Sequence, residues 1–206
     1  MSNAFFKNLD PDTAQDVEQL SRAIYELRES RKQVLAEAGC EDEAAVLNAI
    51  RNGSIAEHPG YELYLAARVM DQAREDVRLA LRPQPGERPA NCLHAALCAS
   101  VQETFASRLV GPVQLMQDAL RFRLDTGVEV TARFAGDDEW SVEWCREDTT
   151  ARIDTAPDAG TQGKAVAHLH DAAGVSRSEP PCDTTGPAEQ VLGNIVGYLL
   201  EMDARG

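Results

Sequence analysis

No CxxC pair, no glycine-rich phosphate loop and no GxSxG elbow occurs in the 206 residues. Their absence excludes the readily recognised zinc ribbons, P-loop nucleotide sites and serine-hydrolase elbows. No apolar run approaches membrane-spanning length, and the start, MSNAFFKNLD, has neither the basic nor the apolar region of a signal peptide. A cytoplasmic protein with no membrane partner is therefore expected. Basic residues are outnumbered, 20 Lys and Arg against 34 Asp and Glu, for a formal charge of −14. Such a surface repels phosphate backbones and speaks against general DNA binding. The five cysteines, Cys40, Cys92, Cys98, Cys145 and Cys182, are odd in number and irregularly spaced, which fits reduced thiols better than a disulfide framework.

What is present is enough to build a core: 43% of the residues are hydrophobic, ample for a folded chain of this length. Asp10-Pro11 opens a helix, since an acidic cap precedes a proline whose missing N–H costs nothing there. The pattern predicts that this helix runs to about Ala38, with Gly39 as its left-handed cap. Val17, Leu20, Ile24, Leu27 and Val34 form one narrow apolar stripe, interrupted by Arg31. A short second helix ends near Gly53, and after His58-Pro59-Gly60 a long third one carries Leu63, Ala66, Met70, Ala73 and Val77 at the same spacing. Small alanines at two of those positions favour an antiparallel hairpin of the first and third helices, with their arginines and glutamates, Arg31, Arg68 and Arg74 among them, on solvated faces.

RPQPGERPAN has almost nothing apolar and reads as a linker. The expected domains are therefore 1–83, helical and suited to dimerisation or partner binding, a linker at 84–90, and 91–206. After a helix that carries Leu93, Leu97, Val101 and Phe105, the period falls from 3.6 to 2 near Leu115. ALRFRL, VEVTARF, WSVEWC and ARIDT are then four short strands joined by turns. The fold class expected is α+β: an N-terminal antiparallel helical hairpin, followed by an antiparallel β-meander covered by the C-terminal helix PAEQVLGNIVGYLLEM.

If the apolar strand residues face that helix, Arg121, Arg123, Arg133 and Arg152 share the opposite face with Glu129, Glu143 and Asp154. One reading is cross-strand ion pairing in water; the other is binding of an anion such as an RNA phosphate or the acidic tail of a partner. In KAVAHLHD an extended backbone turns His168 and His170 to the same side. Such a pair can ligate a metal with Asp171 or Asp154, exchange protons near neutral pH, or simply hydrogen-bond a loop. The HxH spacing alone does not choose, and no motif calls for a cofactor.

The order Asp154, Ala156-Pro157, His168, His170, Gly174, Glu179-Pro180 and a closing helix resembles the TumE family, toxin-like components of bacterial and archaeal toxin–antitoxin pairs. The likeness spans about residues 115 to 204 and leaves the helical N-terminal half outside it. It implies a toxin component acting on RNA or translation beside a cognate antitoxin, with Asp154, His168 and His170 as the candidate catalytic residues. On that view residues 10–82 form a homodimer or dock a partner. The residues themselves leave open a non-enzymatic interaction protein, and a metal-dependent hydrolase that uses the histidine pair.

Overall fold

Helix α1 (Pro11–Glu37) ends where Gly39 takes φ +68°, a conformation that costs glycine nothing. The Cys40 N–H then bonds back to the Leu35 carbonyl and the Gly39 N–H to that of Ala36, so the last turn is satisfied. This computed structural model describes residues 11–80, 93–157, 166–171, 176–177 and 179–204; the expected linker at 84–90, Cys92 and Gly174 lie outside them. Asp42 caps helix α2 (Glu43–Arg51) by accepting the Ala45 N–H at 2.8 Å. Helix α3 (Glu57–Ala80) packs along α1 as the hairpin model requires, except that His58 is non-helical and kinks its first turn. Gly60 lets that turn press on the segment after α2 and on α2 itself, because a Cβ there would meet Ile55 at 2.8 Å and Ile50 at 3.3 Å.

The charged faces of this layer are less solvated than their pattern suggests. Arg31 leaves the exposed set and makes a two-point bond to Glu43, at 2.7 and 2.6 Å, which ties α1 to α2. Its interruption of the apolar stripe is thus the joint between two helices. Arg74 is likewise drawn in, against Asp71 at 2.7 Å.

After α4 (Leu93–Thr104) and a 3-10 turn comes a seven-stranded antiparallel sheet in sequence order. Its strands are β1 (Gln114–Leu115), β2 (Leu120–Arg123), β3 (Glu129–Phe134), β4 (Trp140–Arg146), β5 (Thr149–Asp154), β6 (His168–His170) and β7 (Ser176–Arg177). Helix α5 (Ala188–Ala204) closes the chain. The fold is α+β, with an N-terminal helical region and a C-terminal helix over a meander. Phe122, Val130, Trp140, Val142, Trp144 and Ile153 alternate inward to meet Val191, Leu192, Ile195 and Val196 of α5 and Leu97 and Val101 of α4 in one continuous core.

Two polar groups fasten that core. Asp137, in the β3–β4 turn, accepts the Ala188 N–H at 2.9 Å and so caps α5 from across the fold. Asp137→Ala is expected to cost about 1 kcal/mol in urea unfolding, the usual worth of a cap; an unchanged midpoint would show that the cap contributes nothing. His94 is fully enclosed, and its Nε2 accepts the Phe134 N–H at 3.1 Å. Burial pushes this imidazole down to about 4, and accepting the N–H also demands the neutral ring.

The unfolded chain therefore takes up a proton near pH 6.5 that the folded chain refuses until about pH 4. Stability from this residue is full above pH 6.5 and is lost as pH falls toward 4, a drop of about 3 kcal/mol. Urea unfolding of wild type and His94→Gln should show the stability gap between them narrowing by that amount over this window. A gap independent of pH would sink the assignment.

The second face of the sheet is covered too, which the alternation pattern alone did not predict. Helix α3 lies against it: the Tyr61 hydroxyl shares a 2.9 Å hydrogen bond with Thr155 Oγ1, and Tyr64 donates to Glu139 at 2.7 Å. Ala135 and Ala156 of the sheet side complete the apolar cluster of Leu35, Val46, Ile50 and Leu65. Both tyrosines are raised well above their ordinary value, chiefly by burial. They are anchors between layers.

Candidate metal centre

The site begins with the alternation of β5. Ile153 points into the α5 core, so Arg152 and Asp154 must point the other way, under the first turn of α3. Strand β6 pairs with β5 so that Arg152 faces His170 and Asp154 faces His168. Leu169 falls between them, opposite Ile153, which confirms that both histidines share the polar face. Their rings meet edge to face with centroids 4.7 Å apart.

Glu57, from the first turn of α3, enters this group from above. Its Oε1 lies 3.3 Å from His168 Nε2, 2.7 Å from His170 Nε2 and 3.3 Å from Arg152 Nη2. Asp154 is wholly buried; Oδ1 accepts the Ala156 N–H at 2.9 Å and lies 3.5 Å from His168 Nε2. Its Oδ2 accepts from Arg152 Nε at 2.7 Å and lies 3.8 Å from His170 Nε2. Arg152 also reaches Glu62 of α3, Nη1 to Oε1, at 3.6 Å.

The electrostatics favour positive charge at the centre. Burial would raise Glu57, but its contacts with His168 and His170 outweigh that and hold it well below the carboxylate range. Burial raises Asp154, against the pull of His168, the Ala156 N–H and Arg152. Burial alone would lower His168, yet Glu57 and Asp154 together raise it to about 9. Two carboxylates out of water thus draw in a cation, and a proton on His168 or a metal ion can be that cation.

Four side chains, Glu57, Asp154, His168 and His170, each offer one ligand atom, all within 4.8 Å of one another. A tetrahedral ion with bonds of about 2.0–2.1 Å holds its ligand atoms about 3.3 Å apart. Glu57 Oε1 lies 3.3 and 2.7 Å from the two histidine Nε2 atoms, and Asp154 lies 3.5 Å from His168 through Oδ1 and 3.8 Å from His170 through Oδ2, on either side of that value. His170 Nε2 is buried and has no hydrogen-bond partner although a carboxylate oxygen is 2.7 Å away, so the two atoms converge without pointing at each other. His168 bonds the Val166 carbonyl through Nδ1 at 3.1 Å; a carbonyl only accepts, so Nδ1 carries a hydrogen and Nε2 is the atom left for a ligand role.

Comparison with family models, curated proteins and solved structures finds no match to this chain. The site is therefore read from its own geometry.

Of the residues singled out in the sequence, Asp154, His168, His170 and Arg152 come together. Asp171, half-buried after β6, is not part of the four-ligand set; Asp154 and Glu57 stand where it was expected. Arg152 is not an anion-binding arginine on a wet face, because it is 7% exposed and committed to Glu57, Glu62 and Asp154. Arg133 pairs with Asp118 at 2.9 Å. Arg121 and Arg123 lie exposed on β2, three strands and roughly 14 Å from β5, so the four arginines do not form one binding line. Glu57 was missed: it stands 111 residues from His168, and no spacing rule links them.

Proposed function

We propose that this protein binds one divalent transition-metal ion through Glu57, Asp154, His168 and His170, and that the ion clasps the helical layer to the sheet. What carries the reading is the convergence of two imidazole nitrogens and two carboxylate oxygens from α3, β5 and β6 on one point. Nitrogen and oxygen ligands without thiolate suit Zn²⁺, with Fe²⁺ and Mn²⁺ as the competing ions. Four protein ligands complete a tetrahedron, which is the pattern of a structural ion; a hydrolytic centre keeps a position open for water. Elemental analysis of untagged protein after zinc loading and desalting tests this. Retained zinc that falls by one equivalent in Glu57→Gln and in His168→Ala/His170→Ala supports it; zinc retained at the wild-type level by both variants overturns it.

A second reading concerns the cellular role. Of the residues that the TumE resemblance singles out, Asp154 lies 3.5 Å from His168 and 3.8 Å from His170, and the two ring centroids stand 4.7 Å apart, which supports a toxin component. Induced expression in a bacterium without the cognate antitoxin tests it. Growth arrest by wild type and not by His168→Ala/His170→Ala is expected; growth unaffected by wild type would sink it.

A further inference from the structure

Beside the four-ligand centre, the same covered face holds a second group of ionisable side chains, and it has a defect that the first centre does not explain. Glu62 of α3 is only 9% exposed, and neither carboxylate oxygen has a hydrogen-bond partner. The imidazole and the guanidinium near it are poor substitutes for such a partner. His58 Nδ1 lies 2.9 Å from Oε2 without hydrogen-bond alignment, and Arg152 Nη1 lies 3.6 Å from Oε1, beyond hydrogen-bond reach. Arg152 is already engaged elsewhere, with Asp154 at 2.7 Å and Glu57 at 3.3 Å. One guanidinium cannot satisfy three carboxylates equally, and Glu62 is the one left over.

Glu143 supplies the third group. It sits on β4 directly across from Arg152, hence on the polar face, and its carboxylate comes within 4.8 Å of ligand atoms from both His58 and Glu62. The non-helical backbone at His58 breaks the first turn of α3, and the ring lies against Glu62 four residues on. His58 is half-exposed, so one side of the group is open to water.

We infer that His58, Glu62 and Glu143 form a second divalent-cation site, separated from the first by the Arg152 guanidinium. Two carboxylates and one imidazole satisfy a borderline or hard dication, with water completing its shell on the open side. A cation there would give both Glu62 oxygens the partner they lack. The site shares no ligand with the four-residue centre, so the inference stands independently of the function proposed above.

Zinc equilibrium dialysis of the untagged full chain, followed by elemental analysis, separates the two. Wild type should hold two equivalents, and Glu62→Gln, Glu143→Gln and His168→Ala/His170→Ala one each. Because Glu62 is buried, Glu143→Gln on a half-buried strand position guards against a folding artefact, with circular dichroism as the control. A wild-type stoichiometry of one, lost in Glu62→Gln and in Glu143→Gln but kept in the histidine variant, would uphold this site and overturn the four-ligand centre. Wild-type stoichiometry of one that persists in Glu62→Gln, or two equivalents that persist in both glutamine variants, overturns the inference.

Discussion

Zinc at a thousandfold excess over its dissociation constant is expected to raise the melting temperature of the wild-type chain by roughly 12 °C, the largest ligand effect that follows from the proposed sites. A ligand that binds only the folded state at that excess stabilises it by about 4 kcal/mol. For a chain of this size each kcal/mol moves the transition by about 2–4 °C. The folded state is the one that gains, because Glu57 stands 111 residues from His168 and the two meet only when α3 lies on the sheet. His168→Ala/His170→Ala should cut the shift to less than half, leaving what His58, Glu62 and Glu143 provide. Calorimetry with and without zinc measures both; a wild-type transition that zinc does not move removes the metal clasp.

Arg152→Ala, measured in urea with chelator present, is expected to lose about 3–5 kcal/mol, the cost of leaving buried charge uncompensated. The loss is large because the substitution removes the guanidinium that three carboxylates share: Asp154, whose side chain is wholly buried, and Glu57 and Glu62 above it. Arg121→Ala, on the exposed part of β2, is the control and should stay within about 0.5 kcal/mol of wild type. If the two variants lose similar amounts, the covered face is not the electrostatic joint described here.

Much of the fold was legible because its signals are local. LRFR, EVTARF and WSVEWCR alternate in sequence, and Gly39 takes the positive φ that its place as a helix cap called for. The hairpin of α1 and α3 followed from spacing in the same way. What could not be read was the second cover of the sheet. A layer that docks through an apolar stripe announces itself in sequence, whereas α3 adds to Tyr61 and Tyr64 the charged Arg68, Glu57 and Glu62, which look like surface residues until their partners are known. Asp154 and the histidines were grouped in sequence by the order of residues that resembles the TumE family, and the pairing of β5 with β6 puts them on one side of the sheet. Glu57 comes from a different layer, and only the three-dimensional packing adds it.

The alternation of β5 bears on how the chain avoids misfolding. Strand β6 has three residues, too few for its backbone hydrogen bonds alone to select one alignment against β5. A slip by one position would carry His168 and His170 toward the α5 core and Leu169 into the charged cluster, so both layers would object together. The cluster therefore acts as a proofreading device: whatever ion or proton it holds, it penalises the wrong alignment of the shortest inner strand in the sheet.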